Sequence, residues 1–463
     1  MRLLFAASEV FPYAKTGGLA DVADALPKAL AKEIDIARVM PLYGFMQKEA
    51  FKFYDNFTLS LGEQNYAIKV YKDTKEDVVT YFIEAPYLSD TQNLYGDAEG
   101  DYENNALRFG LFCKAVVMLG LRLNITHLHL NDWHSALVAL FVKELSLNIK
   151  TLFTIHNLAY QGIFEKSTLQ LLGIDAHCFT MEGVEFYNQV NFLKAGIAYA
   201  DAITTVSPSY AKEILTAEFG CGLDGFLRVH KEKLFGILNG IDEDFFNPKS
   251  DANIIAKYDA DSLELKAKNK KLLTQKLQIK NAKLPLFVMI SRLVEQKGVA
   301  LLIKSLPLLQ KQKINIFLLG DGDASICKTF ENLAAKYDNF YFIAGYDEAL
   351  SHKSYAAADF LLMPSRFEPC GLNQFIAMRY AALPLVHAVG GLKDSVHETA
   401  TLCGRGFVYE EQKSAAFIAA VQRALTCYKD KNALRKLQQF NMQCDFSFDK
   451  SALQYIKRYK ELL

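Results

Sequence analysis

Short apolar runs alternate with longer amphipathic stretches along almost the whole chain. In the first half the runs are residues 3–7, 37–40, 79–83, 127–130, 151–155, 202–206 and 235–238. In the second half they are 286–290, 314–319, 340–343, 360–363 and 385–387. Helical patterns fill most gaps, as at 107–121 and 136–145. A continuous apolar strand needs cover on both faces, and crossover helices supply it. The alternation therefore predicts an α/β fold built from doubly wound parallel sheets.

A chain of 463 residues exceeds one hydrophobic core, so about two to four domains are expected. Residues 247–283 are rich in Lys, Asp and Asn and separate the two strand series, which puts a boundary near residue 245. The lysines at 266, 268, 270 and 271 read as a solvated helix face. A faint internal echo relates Gly17-Gly18-Leu19-Ala20-Asp21 to Gly390-Gly391-Leu392-Lys393-Asp394. Near the end, Leu453, Ile456, Tyr459 and Leu463 form a helical stripe.

Composition narrows the partners. With 51% hydrophobic and 22% charged residues, the chain has an ordinary globular make-up. A formal charge of zero and a pI near 7.1 argue against nucleic acid or an acidic membrane surface as the main partner. A neutral ligand such as a carbohydrate is compatible with both. The cysteines at 113, 178, 221, 327, 370, 403, 427 and 444 form no C-x-x-C pair, so a reduced cytosolic protein is the expectation. The first residues lack the features of a signal peptide, and no apolar stretch approaches a membrane span.

In open parallel sheets, ligands bind beyond the carboxyl ends of the strands. Lys15, Asp132, His156, Asn239, Arg292 with Lys297, and Glu368 each follow a strand candidate in this way, which predicts one cleft between two domains. Lys15-Thr16-Gly17-Gly18-Leu19 stands where the first apolar run gives way to a helix carrying Leu19, Val22, Leu26 and Leu30 on one face. Glycines admit a bulky anion close to the backbone, and the helix start and Lys15 favour its charge; a tight turn with a solvated lysine is the competing reading. Arg292 and Lys297, five apart on a strand-to-helix loop, suit a pyrophosphate, one through its fork and the other as a point charge. In Arg366-Phe367-Glu368-Pro369-Cys370-Gly371-Leu372-Asn373, Pro369 and Gly371 punctuate a helix start. The N–H groups of Gly371 and Leu372 are then aimed at an anion, with Glu368 beside it to accept from a sugar.

Several lookalikes are declined. Gly320-Asp321-Gly322 fails the dinucleotide pattern at its third glycine, and Asp321 and Asp323 read as a polar loop rather than a metal-binding Asp-x-Asp. No Gly-Lys dipeptide exists, which excludes a Walker-type phosphate loop. His127, His129 and His134 lie close together, but 127 and 129 share one strand face with no carboxylate beside them, so no metal site is expected there.

Taken together, these residues resemble the bacterial glycogen synthase and plant starch synthase family. The resemblance spans nearly the whole chain. It rests on Lys15-Thr16-Gly17-Gly18-Leu19, Asn131-Asp132-Trp133-His134, Thr154-Ile155-His156-Asn157, Asn239-Gly240-Ile241-Asp242, the segment 291–298, and the segment 365–372. It implies a GT-B architecture, with two Rossmann-like doubly wound domains and an interdomain cleft. The N-terminal, acceptor-side domain would be 1–244 and the C-terminal, donor-side domain 245–445. A terminal helix, 446–463, would return to the first domain.

The resemblance also implies retaining transfer of glucose from ADP-glucose to the non-reducing end of glycogen or another α-1,4-glucan, in the cytoplasm, with no metal or other cofactor. By the same resemblance, Lys15 and Gly18 contact the donor phosphates and Arg292 and Lys297 clamp them. Asp132 and His156 contact the glucosyl unit, with Asn239 close by. Glu368 orients the glucose, Cys370, Gly371 and Leu372 offer backbone groups, Tyr346 stacks on the nucleobase, and the Tyr95 loop approaches the acceptor.

Two positions depart from the pattern. Asn373 replaces the usual Thr, so one donor hydrogen bond is expected to rearrange. Ile376 stands where paired-glutamate transferases carry a second acid. Without an evident nucleophile, front-face substitution is the expected mechanism, against a covalent intermediate on Glu368 or Asp132. A retaining transferase using UDP-glucose or a small acceptor and a catalytically silent glucan-binding protein are the alternative readings.

Overall fold

The computed structural model describes residues 1–97, 99–399 and 404–462. Cys403 and Leu463 lie outside the described residues. The chain divides into two compact units, one of Met1–Gly240 with Phe448–Leu463 and one of Ile241–Ser447.

The sheet of the first unit contains β1 (Arg2–Ala6), β2 (Asp35–Pro41), β3 (Lys52–Leu61), β4 (Gln64–Asp73), β5 (Thr80–Glu84), β6 (His127–Asn131), β7 (Lys150–Ile155), β8 (Ala202–Thr205) and β9 (Leu234–Gly236). Its order is β9-β8-β7-β6-β1-β2-β5-β4-β3. From β9 to β5 the pairings are parallel; β4 and β3 add an antiparallel hairpin at one edge. Leu3, Leu4, Phe5 and Ala6 of β1 are all buried, as a central strand covered on both faces requires. Helix α1 (Gly18–Ala31) follows β1 and buries Leu19, Val22, Leu26 and Leu30. Helices α2 (Asn105–Arg122) and α3 (Trp133–Glu144) fill gaps that read as helical.

The C-terminal helix, Asp449–Glu461, packs into the first unit. Its buried face is Ala452, Tyr455, Ile456 and Tyr459, within the cluster that includes Leu26 and Leu30. Leu453, expected on that stripe, is instead 63% exposed, because the helix turns its 452/455/456/459 positions inward. The Tyr459 hydroxyl meets His129 Nδ1 at 2.7 Å, and His129 Nε2 meets Thr154 Oγ1 at 2.7 Å. Both ring nitrogens of His129 are thereby used in fastening the helix to the sheet.

The second unit carries β10 (Leu286–Ile290), β11 (Asn315–Gly320), β12 (Phe340–Ala344), β13 (Phe360–Met363), β14 (Leu383–His387) and β15 (Phe407–Tyr409). Its order is β12-β11-β10-β13-β14-β15, with every pairing parallel. This is the strand order of a dinucleotide-type fold, whose direction of growth reverses between the first and fourth strands.

The lysine cluster is not a uniformly solvated face. Lys268 and Lys271 are exposed, but Lys266 is buried and donates to the carbonyls of Tyr355, Ala356 and Tyr380 at 3.1, 3.0 and 2.7 Å. Burial pushes its ammonium down to about 7. Lys270 pairs with Asp359 at 2.6 Å. Carbonyls at the ends of two helices draw Lys266 inward and the Asp359 carboxylate draws Lys270, where periodicity alone saw a polar run.

Candidate active site

In the first unit, strand order reverses between β1 and β6, since the chain runs outward from β1 through β2 and then builds β6 to β9 on the other side. Ligands of such sheets bind beyond the strand ends at this reversal. The segments leaving β1, β6 and β7 there carry Lys15, Asp132 and His156.

Asp132 adopts φ 54°, a left-handed conformation rare for a residue with a Cβ and one that concentrates at functional sites. Its Oδ1 accepts from the backbone N–H of His156 at 2.7 Å and of Asn157 at 3.4 Å. Burial outweighs these donors and raises its carboxyl to about 7. His156 Nε2 lies 2.9 Å from Asn131 Oδ1, and burial depresses its imidazole to about 3. His156 is therefore neutral at physiological pH. Sequence reasoning quoted Asn131 in a motif but gave it no role.

The glycine-rich turn ahead of α1 is fastened by Glu9. The N–H groups of Thr16 and Gly17 do not point outward as anion donors; Glu9 Oε2 accepts them at 2.5 and 3.2 Å. Glu9 also accepts from the Thr16 hydroxyl at 2.9 Å and the Tyr95 hydroxyl at 3.0 Å. Burial still raises this carboxyl above its ordinary value. The signal was present in the sequence, as an acid three residues beyond the end of β1.

The Tyr95 hydroxyl is thus directed inward, 2.8 Å from Ser8 Oγ, while its ring stacks on His134 at 4.5 Å. Lys15 Nζ pairs with Asp21 at 2.8 Å. A Cβ placed on Gly17 would meet nothing within 4 Å, and the residue's φ of −160° suits any side chain. Glycine at 17 leaves open backbone there without serving the fold. Gly18 is the first residue of α1. Asn239 is 6% exposed, and its Oδ1 has no hydrogen-bond partner among the described residues.

In the second unit, the reversal lies between β10 and β13. The loops leaving these strands carry Arg292 and Lys297 on one side and Glu368 on the other. Arg292 is exposed, on a loop held by the Leu293 N–H donating to the Asp321 carbonyl at 2.5 Å. Gly298 has φ 74°, and a Cβ there would stand 1.8 Å from the Pro364 carbonyl oxygen. That close approach brings Lys297 Nζ to 2.6 Å from Glu368 Oε2, which also accepts from Ser365 Oγ at 3.0 Å. Gly390 and Gly391, noticed only as an internal echo, brace this loop from behind. Gly391 N–H donates to the Glu368 carbonyl at 3.0 Å, and a Cβ on Gly390 would lie 2.0 Å from that oxygen.

Buried Gln374, missed in the sequence, donates from Nε2 to the carbonyls of Cys370 and Gly371, both at 3.0 Å. In a trans peptide the C=O and the following N–H point in opposite directions. Turning these two carbonyls inward therefore turns the N–H groups of Gly371 and Leu372 outward. Asn373 gives its side-chain N–H to the Ile290 carbonyl at 2.7 Å, tying the turn to the end of β10. Ile376 is buried.

Tyr346 is 62% exposed, and its hydroxyl bonds Glu348. The other Glu348 oxygen meets His352 Nε2 at 3.2 Å, and His352 Nδ1 meets Asp251 Oδ2 at 2.8 Å. Burial opposes a charge on His352, but the two carboxylates overcome it and raise the imidazole to about 9.

Comparisons with known proteins agree with this architecture. Residues 2–229 match the model of the starch synthase catalytic domain, and residues 271–439 that of glycosyl transferases group 1. Glycogen synthase of Syntrophotalea carbinolica is 40% identical over 100% of this chain and 99% of its own. That of Aquifex aeolicus is 42% identical with the same coverage. Among solved structures, the catalytic domain of starch synthase IV from Arabidopsis thaliana, bound to ADP and acarbose, superposes with TM-score 0.91 at 33% identity over 99% of both chains. A sucrose-phosphate synthase from Thermosynechococcus elongatus, 18% identical at TM-score 0.65 over 100% of this chain and 98% of its own, shares the fold. The architecture is GT-B, and the chain belongs to the glycogen synthase and starch synthase family of retaining glycosyltransferases.

Proposed function

We propose that the chain transfers a glucosyl unit from ADP-glucose to the non-reducing end of an α-1,4-glucan, glycogen in the cell, with retention at the anomeric carbon. The observation that carries this is the near full-length likeness to a starch synthase domain bound to ADP and acarbose. Among the described residues no helix is long and apolar enough to cross a membrane, and we read the site of action as the cytoplasm.

Lys15, Arg292 and Lys297 act on the donor diphosphate, together with Gly18 and the N–H groups of Gly371 and Leu372 beside Cys370. Preorganised cations and N–H donors stabilise the charge that develops on the leaving diphosphate. Asp132, His156, Asn239 and Glu368 hold the glucosyl unit, Asn373 sets the donor turn, Tyr346 stacks on the base, and the Tyr95 loop lies on the acceptor side.

The transfer is front-face. The bond from C1 to the diphosphate oxygen breaks, the acceptor hydroxyl attacks the same face, and its proton passes to the departing phosphate. Two features support this over a covalent route. Asp132, raised to about 7, is half-protonated near neutrality and a weak nucleophile. Glu368 Oε2 is engaged by Lys297 and Ser365.

The test is incubation with glycogen and either ADP-glucose or UDP-glucose, following nucleotide release and chain extension. ADP-glucose should be preferred, with α-linked product. Preference for UDP-glucose, or glucan binding without nucleotide release, overturns the reading.

A further inference from the structure

We infer that Asn131 is a positioning residue that fixes the tautomer of His156, so that His156 presents Nδ1 as a hydrogen-bond acceptor and cannot serve as an acid. The inference rests on the proposed placing of His156 at the sugar, but its first readout does not.

Asn131 ends β6 and is wholly buried. Its backbone is held at both neighbours: β6 pairs with β1 through Ala6 and Leu130, and with β7 through Asn131 and Thr154. The Asn131 N–H donates to Ser135 Oγ at 2.6 Å, and Ser135 Oγ donates to the Asn131 carbonyl at 2.9 Å. The side chain is therefore aimed by a rigid frame.

Its two amide atoms have unequal surroundings. Nδ2 lies 3.0 Å from the Ala6 carbonyl oxygen, which can only accept. The nitrogen must face that carbonyl, because the reversed amide would set two oxygens against each other in the interior. Oδ1 then faces His156 Nε2 at 2.9 Å and can only accept. Nε2 must carry the proton. In a neutral imidazole the other nitrogen then bears the lone pair.

Asp132 completes the arrangement from the next position. Its carboxylate holds the His156 backbone N–H at 2.7 Å, so the ring and main chain of His156 are both fixed by the end of β6. The ring takes no part in a carboxylate pair that would let it charge. Burial disfavours a cation on His156 and on His129, whose two nitrogens meet Tyr459 and Thr154, and a charge on His156 would disfavour one on His129 further. Nδ1 of His156 thus selects a donor, and a sugar hydroxyl is the chemical class that fits.

Two variants test this. Ring-nitrogen NMR of isotope-labelled histidine, with His156 assigned through His156→Gln, reports the tautomer directly. The wild-type chain should show Nε2–H. In Asn131→Leu the preference should be lost. In Asn131→Asp, which keeps the shape, the oxygen set against the Ala6 carbonyl must carry a proton, so the other oxygen still accepts and the Nε2–H tautomer should be retained. These outcomes support the inference even where kcat/KM of Asn131→Leu is unchanged, a result that would instead remove His156 from the sugar site. A wild-type Nδ1–H tautomer, or a tautomer preference unmoved in a folded Asn131→Leu, overturns it.

Discussion

Lys297 Nζ lies 2.6 Å from Glu368 Oε2, and the two residues arrive from loops on either side of the strand reversal in the second unit. The carboxylate is almost wholly buried, so the pair is structural as well as chemical. Removing one partner of a buried pair leaves an uncompensated charge. Lys297→Ala should therefore lower Tm as well as activity. Loss of a cation aimed at the leaving group costs about 3–4 kcal/mol of transition-state stabilisation, on the order of 10² to 10³ in kcat/KM. The double variant Lys297→Ala/Glu368→Gln should recover much of the Tm and none of the activity. Thermal melts beside donor kinetics separate the two effects.

Lys15 gives a cleaner case. Its partner Asp21 is 2.8 Å away, and both side chains are 23% exposed. Such pairs contribute about 0–1 kcal/mol to folding. Lys15→Ala should fold with nearly the wild-type Tm and lose on the order of 10² to 10³ in kcat/KM. Wild-type kinetics would remove Lys15 from the donor site.

Asp132 and His156 make opposite contributions to stability against pH. Burial raises Asp132 from 3.8 to about 7, so the native state holds a proton that the unfolded chain releases. Stability from this group is lost as pH climbs from about 4 to 7. Burial lowers His156 from 6.5 to about 3, so the unfolded chain takes up a proton that the native state refuses. Stability from this group is lost as pH falls from about 6.5 to 3. Relative to wild type, Asp132→Asn should gain Tm as pH rises across its window, and His156→Gln should gain as pH falls across its own. Melting both variants from pH 4 to 7 checks the two slopes.

The central parallel strands were legible because most are apolar on both faces and bounded by polar loops, although β6 sets His127, His129 and Asn131 on one face. The hairpin β3–β4 escaped notice although Phe57, Leu59, Leu61, Tyr66, Ile68 and Val70 alternate at period two and are buried. The intervening Thr58, Ser60, Ala67 and Lys69 are exposed, which broke up the continuous apolar runs being sought. The candidate residues with charge were legible because they follow strands. Those that position them were not: Asn131 acts on the Ala6 carbonyl far away in sequence, while Glu9 and Gln374 act on nearby backbone whose turn geometry no periodicity reports. Gly390 showed as an echo, but its need arises only from the Glu368 carbonyl lying where a Cβ would be.

His352 sits at the centre of a chain of polar groups that runs from buried Asp251 out to exposed Tyr346. Its side chain is 1% exposed and its partner Asp251 is 2% exposed. Although burial opposes the charge, the carboxylates of Asp251 and Glu348 raise it from 6.5 to about 9. A raised folded-state value means the stabilisation is complete below about pH 6.5 and is lost as pH rises through 9. His352→Gln should destabilise by roughly 3–5 kcal/mol at pH 6, since it strands Asp251 without its cation. The gap between wild type and variant should narrow toward pH 9, because there the wild type itself loses the charge. Denaturant unfolding at pH 6 and pH 9 measures the gap, and a gap independent of pH would show that His352 does not titrate in this window. Because Glu348 bridges His352 to the exposed Tyr346, the same variant should raise the KM for the nucleotide donor more than it lowers kcat.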